Sequence, residues 1–277
     1  MLSSTEFNLN DIQTRLKPGN PPDPRLAIEI RDLKKSFRAG RDQILKGVTL
    51  PVVKGQVTYL LGSSGSGKSV MLKHILGLLT PDSGEILIQG QRIPYDNPRN
   101  LNEMRKAFGM MFQSSALFDD FTIFQNVSFP LVEHTKLSHE QMRGKVAEKL
   151  AAMGLDIDVV GDKFPSEISG GMKRRVALAR AIILEPKIVL YDEPTTGLDP
   201  ITRNTVDELI LSTNNNFGLT SIVISHDMFS ALNCADYLAF LHKGEIVFYG
   251  TPEDFQKCEH PMVKGFLSAE KQHVGNL

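Results

Sequence analysis

A run of glycine and serine, GSSGSGKS at residues 62–69, constrains more than any other feature what this chain can fold into. It follows VTYLLG (57–62), an apolar run that predicts a buried strand, and precedes KSVMLKHILGLL (68–79), which has the length and apolar period of a helix. The spacing fits the G-x-x-x-x-G-K-[ST] pattern, in which glycines let the backbone curl around phosphate groups with its N–H groups pointing inward. A flexible Gly-Ser turn is the alternative, and the strand–loop–helix context disfavours it.

The residues of this loop are expected to contact the phosphates of a bound nucleotide through backbone N–H groups and short side chains. Lys68 would reach the β- and γ-phosphates, and the Ser69 hydroxyl would ligate Mg²⁺. The full set of expected nucleotide contacts in this stretch is Gly62, Ser63, Ser64, Gly65, Ser66, Gly67, Lys68, Ser69 and Val70.

A second apolar run, IVLYDEP at residues 188–194, ends in two carboxylates. Asp192, at the end of the predicted strand, can bind Mg²⁺ through its hydration shell, and Glu193 can orient or deprotonate an attacking water. An ordinary strand followed by an acidic turn is the alternative, and the phosphate loop upstream makes it the weaker interpretation. Together, the two motifs indicate an enzyme that hydrolyses a nucleotide.

Strand-like and helix-like segments alternate along most of the remaining chain. Residues 115–185 are mostly helical, and strands are predicted at LAIEI (26–30), GEILIQG, FGMMFQ, KIVLYDEP, TSIVISHD, YLAFLH and EIVFYG. This alternation predicts an α/β core with a parallel sheet and an inserted helical block. The net charge of −1, from 31 basic and 32 acidic residues, gives no sign of nucleic-acid binding.

The stretch SEISGGMKRRVALARA, residues 166–181, predicts a second anion-binding site. Ser169, Gly170 and Gly171 precede a helical pattern that extends to about Leu184. The bare N–H groups at the start of such a helix bind anions. One chain therefore offers two phosphate-binding surfaces.

In this order, the motifs resemble those of ABC-transporter ATPase subunits, and the resemblance covers residues 26 to about 257. It implies a P-loop NTPase fold of the α/β class, with a RecA-like core, an antiparallel β subdomain and an inserted α-helical subdomain. The implied ATPase domain spans residues 26–267, with the helical subdomain at approximately 115–185. A flexible N-terminal tail (1–25) and a C-terminal tail (268–277) would flank it. ATP and Mg²⁺ are the implied ligands.

Four more positions match motifs of the family, and their roles are those that the resemblance implies. Phe37 would stack on adenine, with a core aromatic on a strand as an equally favoured alternative. Gln113, in MMFQSS, would sense Mg²⁺ and the γ-phosphate, and His226, in ISHD, would contact the γ-phosphate. Asp199, in TTGLDP, would cross an interface between two copies of the chain. The implied catalytic residues are Glu193, His226 and Gln113, and the implied Mg²⁺ ligands are Ser69, Gln113 and Asp192.

The family resemblance also implies a role for the second anion site. In ABC ATPases, the signature motif of one protomer, here Ser169 with Gly170 and Gly171, closes on the ATP that the other protomer holds, so a homodimer is implied. The cations KRR at residues 173–175 lie in the first turn of this helix, where positive charge opposes the helix dipole. They are expected to face the triphosphate, and a solvated basic face remains the alternative for Lys173.

Within the family, ISGGMKRR and the preceding FQSSALFDDFTIFQNVSFPLVEHT are similar to the Mla/Mce branch, whose ATPases power phospholipid or other lipid movement across the periplasm. Two positions depart from the usual pattern. Met172 replaces the glutamine that commonly ends the signature, and Val132 replaces an arginine that the branch often carries. Because anion binding there rests mainly on Ser169 and backbone N–H groups, Met172 need not abolish it.

The branch implies an ATPase on the cytoplasmic side of the bacterial inner membrane, bound to an integral-membrane permease and working with a periplasmic Mce-domain lipid-binding protein. A small accessory cytosolic protein is left open as a further partner, and no nucleic acid is expected. No apolar run approaches the ~18 residues of a transmembrane helix, and the N-terminus lacks the apolar core of a signal peptide. Attachment is therefore expected to be peripheral, through the permease.

Two alternatives stay open. One is the ATPase subunit of an ABC transporter for another solute. The other is a soluble, non-transport ABC ATPase that acts on nucleic acid or ribosomes. Such proteins usually carry two ATPase modules or a long coiled-coil insertion, and this chain shows neither pattern.

Four aromatic residues follow Gln113 in the segment that opens the helical block, namely Phe118, Phe121, Phe124 and Phe129. Burial within a helical cap would explain any one of them. Together, and next to the predicted nucleotide sensor, they predict a groove that receives an amphipathic helix from the permease.

Overall fold

The computed structural model describes residues 14–38 and 40–274 of the 277-residue chain. Residues 1–13 of the predicted N-terminal tail and residues 275–277 of the predicted C-terminal tail lie outside the described residues, as does Ala39. Among the residues that are described, no helix combines the length and the hydropathy needed to cross a membrane.

The chain divides into two compact units, which we call the first unit (Met1–Arg105 with Thr220–Leu277) and the second unit (Lys106–Leu219). The described strands, in chain order, are β1 (Leu26–Phe37), β2 (Asp42–Val53), β3 (Val57–Leu61), β4 (Ser83–Ile88), β5 (Gln91–Arg92), β6 (Phe108–Met111), β7 (Ile188–Asp192), β8 (Thr220–Ser225), β9 (Tyr237–His242) and β10 (Glu245–Gly250). The described helices are α1 (Lys68–Ile75), α2 (Pro98–Arg105), α3 (Ile123–His134), α4 (His139–Ala152), α5 (Ile157–Val160), α6 (Gly170–Ile182), α7 (Pro200–Phe217), α8 (Met228–Cys234), α9 (Pro252–Gln256) and α10 (Pro261–Val274), with a 3₁₀ turn at Pro165–Glu167.

The strands of the first unit form one antiparallel and one mainly parallel arrangement. The antiparallel sheet has the order β2-β1-β4-β5. In the other arrangement, β3 lies between β8 and β9 and is parallel to both, while β10 is antiparallel to β9. In the second unit, β6 and β7 pair in parallel. These pairings confirm the predicted α/β class with a parallel core and an antiparallel β subdomain.

The central strands of both units are short apolar runs. All five residues of β3 are buried, and so are the first four of β7. Parallel strands are covered on both faces, which explains why these segments lack the alternating pattern of a half-exposed strand. Each apolar run ends next to a predicted site residue: β3 is followed directly by Gly62, and the last residue of β7 is Asp192.

The helix after the glycine-serine loop is shorter than the sequence predicts. α1 ends at Ile75, whereas the apolar pattern continues to Leu79. Gly77 takes φ +64°, a left-handed conformation that ends helices and favours glycine. A Cβ atom at Gly77 would lie 2.5 Å from the Leu101 side chain, so the close approach of that side chain also selects glycine at this turn.

Arg31 ties the segment before β1 to the antiparallel sheet. Its side chain is 1% exposed and forms ion pairs with Glu29 and Glu85. Its guanidinium also donates to three backbone carbonyls within residues 17–21. The structure thus differs from the predicted flexible tail (1–25) over this stretch, because a buried guanidinium needs acceptors for its N–H groups and the segment supplies them.

The C-terminal helix also extends beyond the expected boundary. α10 continues to Val274, whereas the predicted tail begins at residue 268. Val263 of this helix is fully buried. The ring of Phe266 packs edge-on against that of Phe240 in β9, with 5.1 Å between the ring centres. These contacts anchor the helix to the first unit.

We predict that Arg31→Ala lowers the free energy of unfolding by about 3–5 kcal/mol, because it leaves Glu29 buried without its cation. Urea unfolding of the full chain measures this loss. Arg143→Ala, which removes an exposed ion pair with Asp158, is the control and should cost less than about 1 kcal/mol. Equal losses in the two variants would contradict the structural role of Arg31.

Candidate active site

The glycine-serine loop connects β3 to α1 in the first unit, and two of its glycines stand where no side chain fits. A Cβ atom at Gly62 would lie 2.3 Å from the backbone oxygen of Leu241, and one at Gly67 would lie 2.9 Å from the Leu45 side chain. Gly67 also takes φ +112°, which other residues rarely adopt. The path of the loop is therefore set by the chain around it as well as by its own sequence.

Lys68 is the first residue of α1, its side chain contacts the backbone of this loop, and it is 8% exposed. Its Nζ donates to the backbone oxygens of Gly62 at 2.6 Å and Ser63 at 3.3 Å. The Ser63 oxygen also accepts from the Ser66 N–H at 3.2 Å. These bonds close the loop around a positive charge, an arrangement that suits a phosphate group. The other predicted contacts at the loop surface are exposed Ser64, Gly65 and Ser69 and half-buried Val70.

His226 leaves the sheet at the same edge as the loop. Leu61, the last residue of β3, pairs with Ser225, the last residue of β8. The residues that follow this pair, Gly62 and His226, therefore emerge side by side from two parallel strands. His226 is exposed, and Asp227 after it caps α8, so the structure presents the imidazole at the strand ends where α/β proteins bind ligands.

Phe37, the predicted adenine contact, lies at the end of β1 and is 38% exposed, so it is not a core aromatic. Asp82 fixes this strand end, because its two oxygens accept from Lys35 Nζ at 2.8 Å and from the Ser36 N–H at 2.6 Å. The hydrogen bond from Lys35 lowers the pKa of Asp82 below its ordinary value. Lys35 Nζ also lies 5.8 Å from the centre of the Phe37 ring. The ring is thus an exposed platform on an anchored strand, which suits stacking on a base.

In the second unit, β6 and β7 bring three predicted site residues to one sheet edge. Met111 pairs with Tyr191 in the parallel register, so the residues that follow both strands emerge together. Gln113 comes two positions after β6 and is exposed. Asp192 is half-buried at the end of β7, and Glu193 follows it. A neutral amide and two carboxylates therefore share this edge.

Glu193 has a strained backbone conformation. Its φ of +52° is in the left-handed region, which costs a residue other than glycine of the order of 1–3 kcal/mol. Thr196 helps to hold this turn: its Oγ1 donates to Glu193 Oε2 at 2.8 Å, and its N–H donates to the Glu193 backbone oxygen at 3.3 Å. Strain of this kind collects at functional positions. Here it fixes the carboxylate that the sequence analysis assigns to the attacking water.

Ser169 is the N-cap of α6, and its Oγ accepts from the Met172 N–H at 3.3 Å. Gly170 and Gly171 begin the helix and are exposed. A Cβ atom at Gly171 would meet no neighbouring heavy atom within 4 Å, and one at Gly170 would meet only Arg174 Nη1, at 3.9 Å. The packing of the second unit does not require these glycines, so they leave the helix start open to a ligand.

One of the three cations that follow this helix start, Arg175, contacts another part of the second unit. Arg175 Nη1 donates to the backbone oxygen of Met153, at the end of α4, with a distance of 2.8 Å. The expectation that all three cations face a triphosphate is therefore wrong for Arg175. Its side chain satisfies a carbonyl at a helix end, where backbone oxygens lack intrahelical partners.

Asp199 is the N-cap of α7 and is exposed. Its Oδ1 accepts from the N–H groups of Ile201 and Thr202 at 3.0 Å, and the Thr202 hydroxyl donates to Oδ2 at 2.5 Å. The bond from the Thr202 hydroxyl lowers the pKa of Asp199. Ile201 beside it is 80% exposed, so this corner of the second unit presents a fixed carboxylate next to an apolar side chain.

Three of the four predicted groove residues, Phe118, Phe121 and Phe129, pack together and are called the aromatic cluster below. The ring centre of Phe118 lies 5.0 Å from that of Phe121 and 5.1 Å from that of Phe129. Phe118 is 43% exposed. Phe124 instead packs against His139, with 5.1 Å between the ring centres. The aromatic surface is thus smaller than the sequence suggested.

Known proteins share both the sequence and the fold of this chain. The profile of the ABC transporter family matches residues 45–196. The chain is 44% identical over 243 residues to the intermembrane phospholipid transport system ATP-binding protein MlaF of Haemophilus influenzae, covering 88% of this chain and 90% of that protein. It is 41% identical over 246 residues to the probable ribonucleotide transport ATP-binding protein mkl of Mycobacterium leprae, covering 89% of this chain and 70% of that protein.

Two solved structures are similar in fold. One is cbiO1 of Clostridium perfringens, part of the ABC transporter complex cbiONQ, with a TM-score of 0.79, 28% identity and coverage of 91% of this chain and all of that one. The other is the dimeric ATP-binding cassette MJ0796 in a post-hydrolysis state bound to ADP and Pi, with a TM-score of 0.71, 30% identity and coverage of 81% and 98%. These matches confirm the predicted fold class.

We predict that Gly171→Ala changes the free energy of unfolding by no more than about 1 kcal/mol, because the methyl group meets open space and alanine favours a helix. ATP hydrolysis should nevertheless fall at least tenfold, because the methyl group occupies the opening at the helix start. Gly144→Ala in α4, where a Cβ atom also meets no neighbour within 4 Å, is the matched control and should keep full activity. Unchanged hydrolysis by Gly171→Ala would show that this helix start is not part of the site.

Proposed function

Because the chain belongs to the ABC transporter ATP-binding family, we propose that it hydrolyses ATP to power phospholipid transport through a separate membrane permease. The observation that carries this proposal is the 44% identity to MlaF over 90% of that protein's length. The ATPase domain would extend beyond the expected residues 26–267 at both ends, to include the segment that Arg31 holds before β1 and all of α10. Its helical subdomain would lie at approximately 115–185.

The loop of the first unit would hold the triphosphate. Lys68 lies under the loop and would neutralise the β- and γ-phosphates, while the loop N–H groups between Gly62 and Val70 donate to phosphate oxygens. Phe37 would stack on adenine from its anchored position at the end of β1. His226, at the adjacent strand end, would donate to an oxygen of the γ-phosphate.

The residues assigned to Mg²⁺ fit that ion by their chemistry. Ser69 offers a hydroxyl oxygen, Gln113 an amide oxygen and Asp192 a carboxylate oxygen. Mg²⁺ takes oxygen ligands and is commonly held by one or two carboxylates together with substrate phosphates and water. Bound there, it would offset the negative charge of the phosphates.

Glu193 would act on the attacking water. Its carboxylate would accept the water proton as the oxygen attacks the γ-phosphorus, and the bond from Thr196 would keep the carboxylate oriented. Gln113, which emerges at the same edge of the second unit as Glu193, would sense whether the γ-phosphate is present. Hydrolysis then leaves ADP and inorganic phosphate, the pair that the MJ0796 dimer holds.

A second copy of the chain would complete each site. The open N–H groups at Gly170 and Gly171, with the Ser169 hydroxyl, would contact the γ-phosphate of ATP bound to the other copy. Asp199 and exposed Ile201 would lie at the same interface. The dimeric state of MJ0796 supports this arrangement.

The aromatic cluster would receive an amphipathic helix of the permease. Through the permease, the subunit would sit peripherally on the cytoplasmic side of a bacterial inner membrane. A periplasmic Mce-domain lipid-binding protein and a small accessory cytosolic protein are the further proposed partners.

The name of the mkl relative favours a second candidate cargo, a ribonucleotide, although the match covers only 70% of that protein.

We predict that Glu193→Gln binds Mg-ATP with unchanged affinity and hydrolyses it about 10²–10⁴-fold more slowly, because the water loses its proton acceptor. Nucleotide binding and phosphate release, measured on the same preparation, test both halves. Glu208→Gln changes an exposed glutamate of α7 in the same way and should keep normal turnover. Turnover of Glu193→Gln close to that of the unchanged protein would refute the assignment.

We predict that Phe121→Asp weakens co-purification with the permease and abolishes transport of a labelled phospholipid in proteoliposomes, while the isolated subunit keeps its ATP affinity. Phe121 is half-buried, and an aspartate there would place an unpaired charge where the apolar face of the helix is expected to pack. Val159→Asp places the same charge on an exposed apolar residue outside the aromatic cluster of the second unit and should leave assembly intact. Transport of a labelled ribonucleotide but not of phospholipid by the unchanged complex would favour the alternative cargo.

A further inference from the structure

Two consecutive residues after Gln113 have a left-handed backbone. Ser115 takes φ +62° and Ala116 takes φ +44°. Neither is glycine, and residues other than glycine persist in this region only when the surrounding structure holds them there. The segment that carries Gln113 therefore depends on contacts from elsewhere in the second unit.

Arg180 supplies those contacts. Its Nη2 donates to the Ser115 backbone oxygen and its Nη1 donates to the Ala116 backbone oxygen, each at 2.9 Å. The planar guanidinium presents its donors as a rigid fork, which matches two successive carbonyls better than a single ammonium does. Arg180 lies on α6, the helix that Ser169 caps.

The same guanidinium reaches the aromatic cluster. Its central carbon lies 5.8 Å from the centre of the Phe118 ring, within the range of a cation–π contact. Burial lowers the pKa of Arg180 from its ordinary value, but an arginine remains charged at neutral pH. One side chain thus contacts the start of the segment after Gln113 and the first ring of the aromatic cluster.

Asn126 holds the other end of this segment. It is fully buried, its Oδ1 accepts from the Phe118 N–H at 2.8 Å, and its Nδ2 donates to the backbone oxygens of Phe118 at 3.0 Å and Phe121 at 3.1 Å. Residues 115–121 are therefore fixed by side chains at both ends. This segment lies between Gln113 and the aromatic cluster, so the two are connected by backbone that side chains hold at both ends.

We propose that Arg180 is a positioning residue that sets Gln113 for hydrolysis by holding the Ser115–Ala116 turn, and that it links this turn to the aromatic cluster. The proposal rests on the catalytic role proposed above for Gln113. Arg180 acts through the backbone of its neighbours, so its loss changes the rate of hydrolysis and leaves the affinity for ATP in place.

The first test compares Arg180→Gln with Arg105→Gln. Arg105 in α2 is a chemically matched control, because it also donates to two successive backbone carbonyls, those of Leu76 and Gly77. In the full-length protein, kcat of Arg180→Gln should fall about 10–100-fold, the loss expected from a small misplacement of a catalytic group, with KM for ATP changed less than about twofold. The two variants should lower the melting temperature by similar amounts, but Arg105→Gln should keep the kcat of the unchanged protein. Arg180→Lys should recover part of the rate, because an ammonium can still donate to one of the carbonyls.

The second test is a double-mutant cycle with Gln113→Ala. If Arg180 acts through Gln113, the double variant should be no slower than the slower single variant, since coupled residues are not additive. Fully additive losses of kcat, or a kcat loss in Arg180→Gln no larger than in Arg105→Gln, would overturn the role of Arg180 and leave that of Gln113 intact. Normal turnover by Gln113→Ala alone would overturn both.

Discussion

The register of the parallel strands is the constraint on which the arrangement of the proposed site depends. In the first unit, the pairing of Leu61 with Ser225 makes the phosphate loop and His226 emerge together. In the second unit, the pairing of Met111 with Tyr191 does the same for Gln113 and the two carboxylates. A shift of one residue in either pairing would turn every side chain of the strand to the opposite face. All residues of β3 and β8 are buried, and so are most of those in β6 and β7, which opposes such a shift.

Local chemistry could be predicted from the sequence, because its determinants lie within a few residues of each other. The loop between β3 and α1, the carboxylates at the end of β7 and the start of α6 after Ser169 are all of this kind, and so is the parallel α/β class. The end of α1 was misjudged, because Gly77 interrupts an apolar pattern that continues beyond it. The anchors of the site residues could not be predicted. Asp82 and Lys35 are 47 residues apart, and Arg180 and Ser115 are 65 apart.

Residues with strained backbone lie near the proposed catalytic groups, and hydrogen bonds from other side chains hold them in place. Eight described residues other than glycine take left-handed backbone conformations. Of these, Glu193 is a proposed catalytic residue, and Ser115 and Ala116 follow another, Gln113, by two and three positions. Such conformations lower stability and must be offset by contacts nearby. Thr196 and Arg180 provide such contacts through their hydrogen bonds to Glu193 and to the Ala116 backbone oxygen. The conformation of the site is thus maintained by side chains that need never touch the nucleotide.

The tie between Arg31 and the segment before β1 determines how this protein can be shortened. A recombinant fragment that started at Leu26 would contain both sheets of the first unit and every motif discussed above. It would also lack the carbonyls within residues 17–21 that accept from the Arg31 guanidinium. The Arg31 guanidinium would then exchange these protein acceptors for water, and the tie that orders the edge of the antiparallel sheet would be lost. A fragment that keeps the first unit intact is therefore expected to begin upstream of its first strand, and affinity tags belong before that segment.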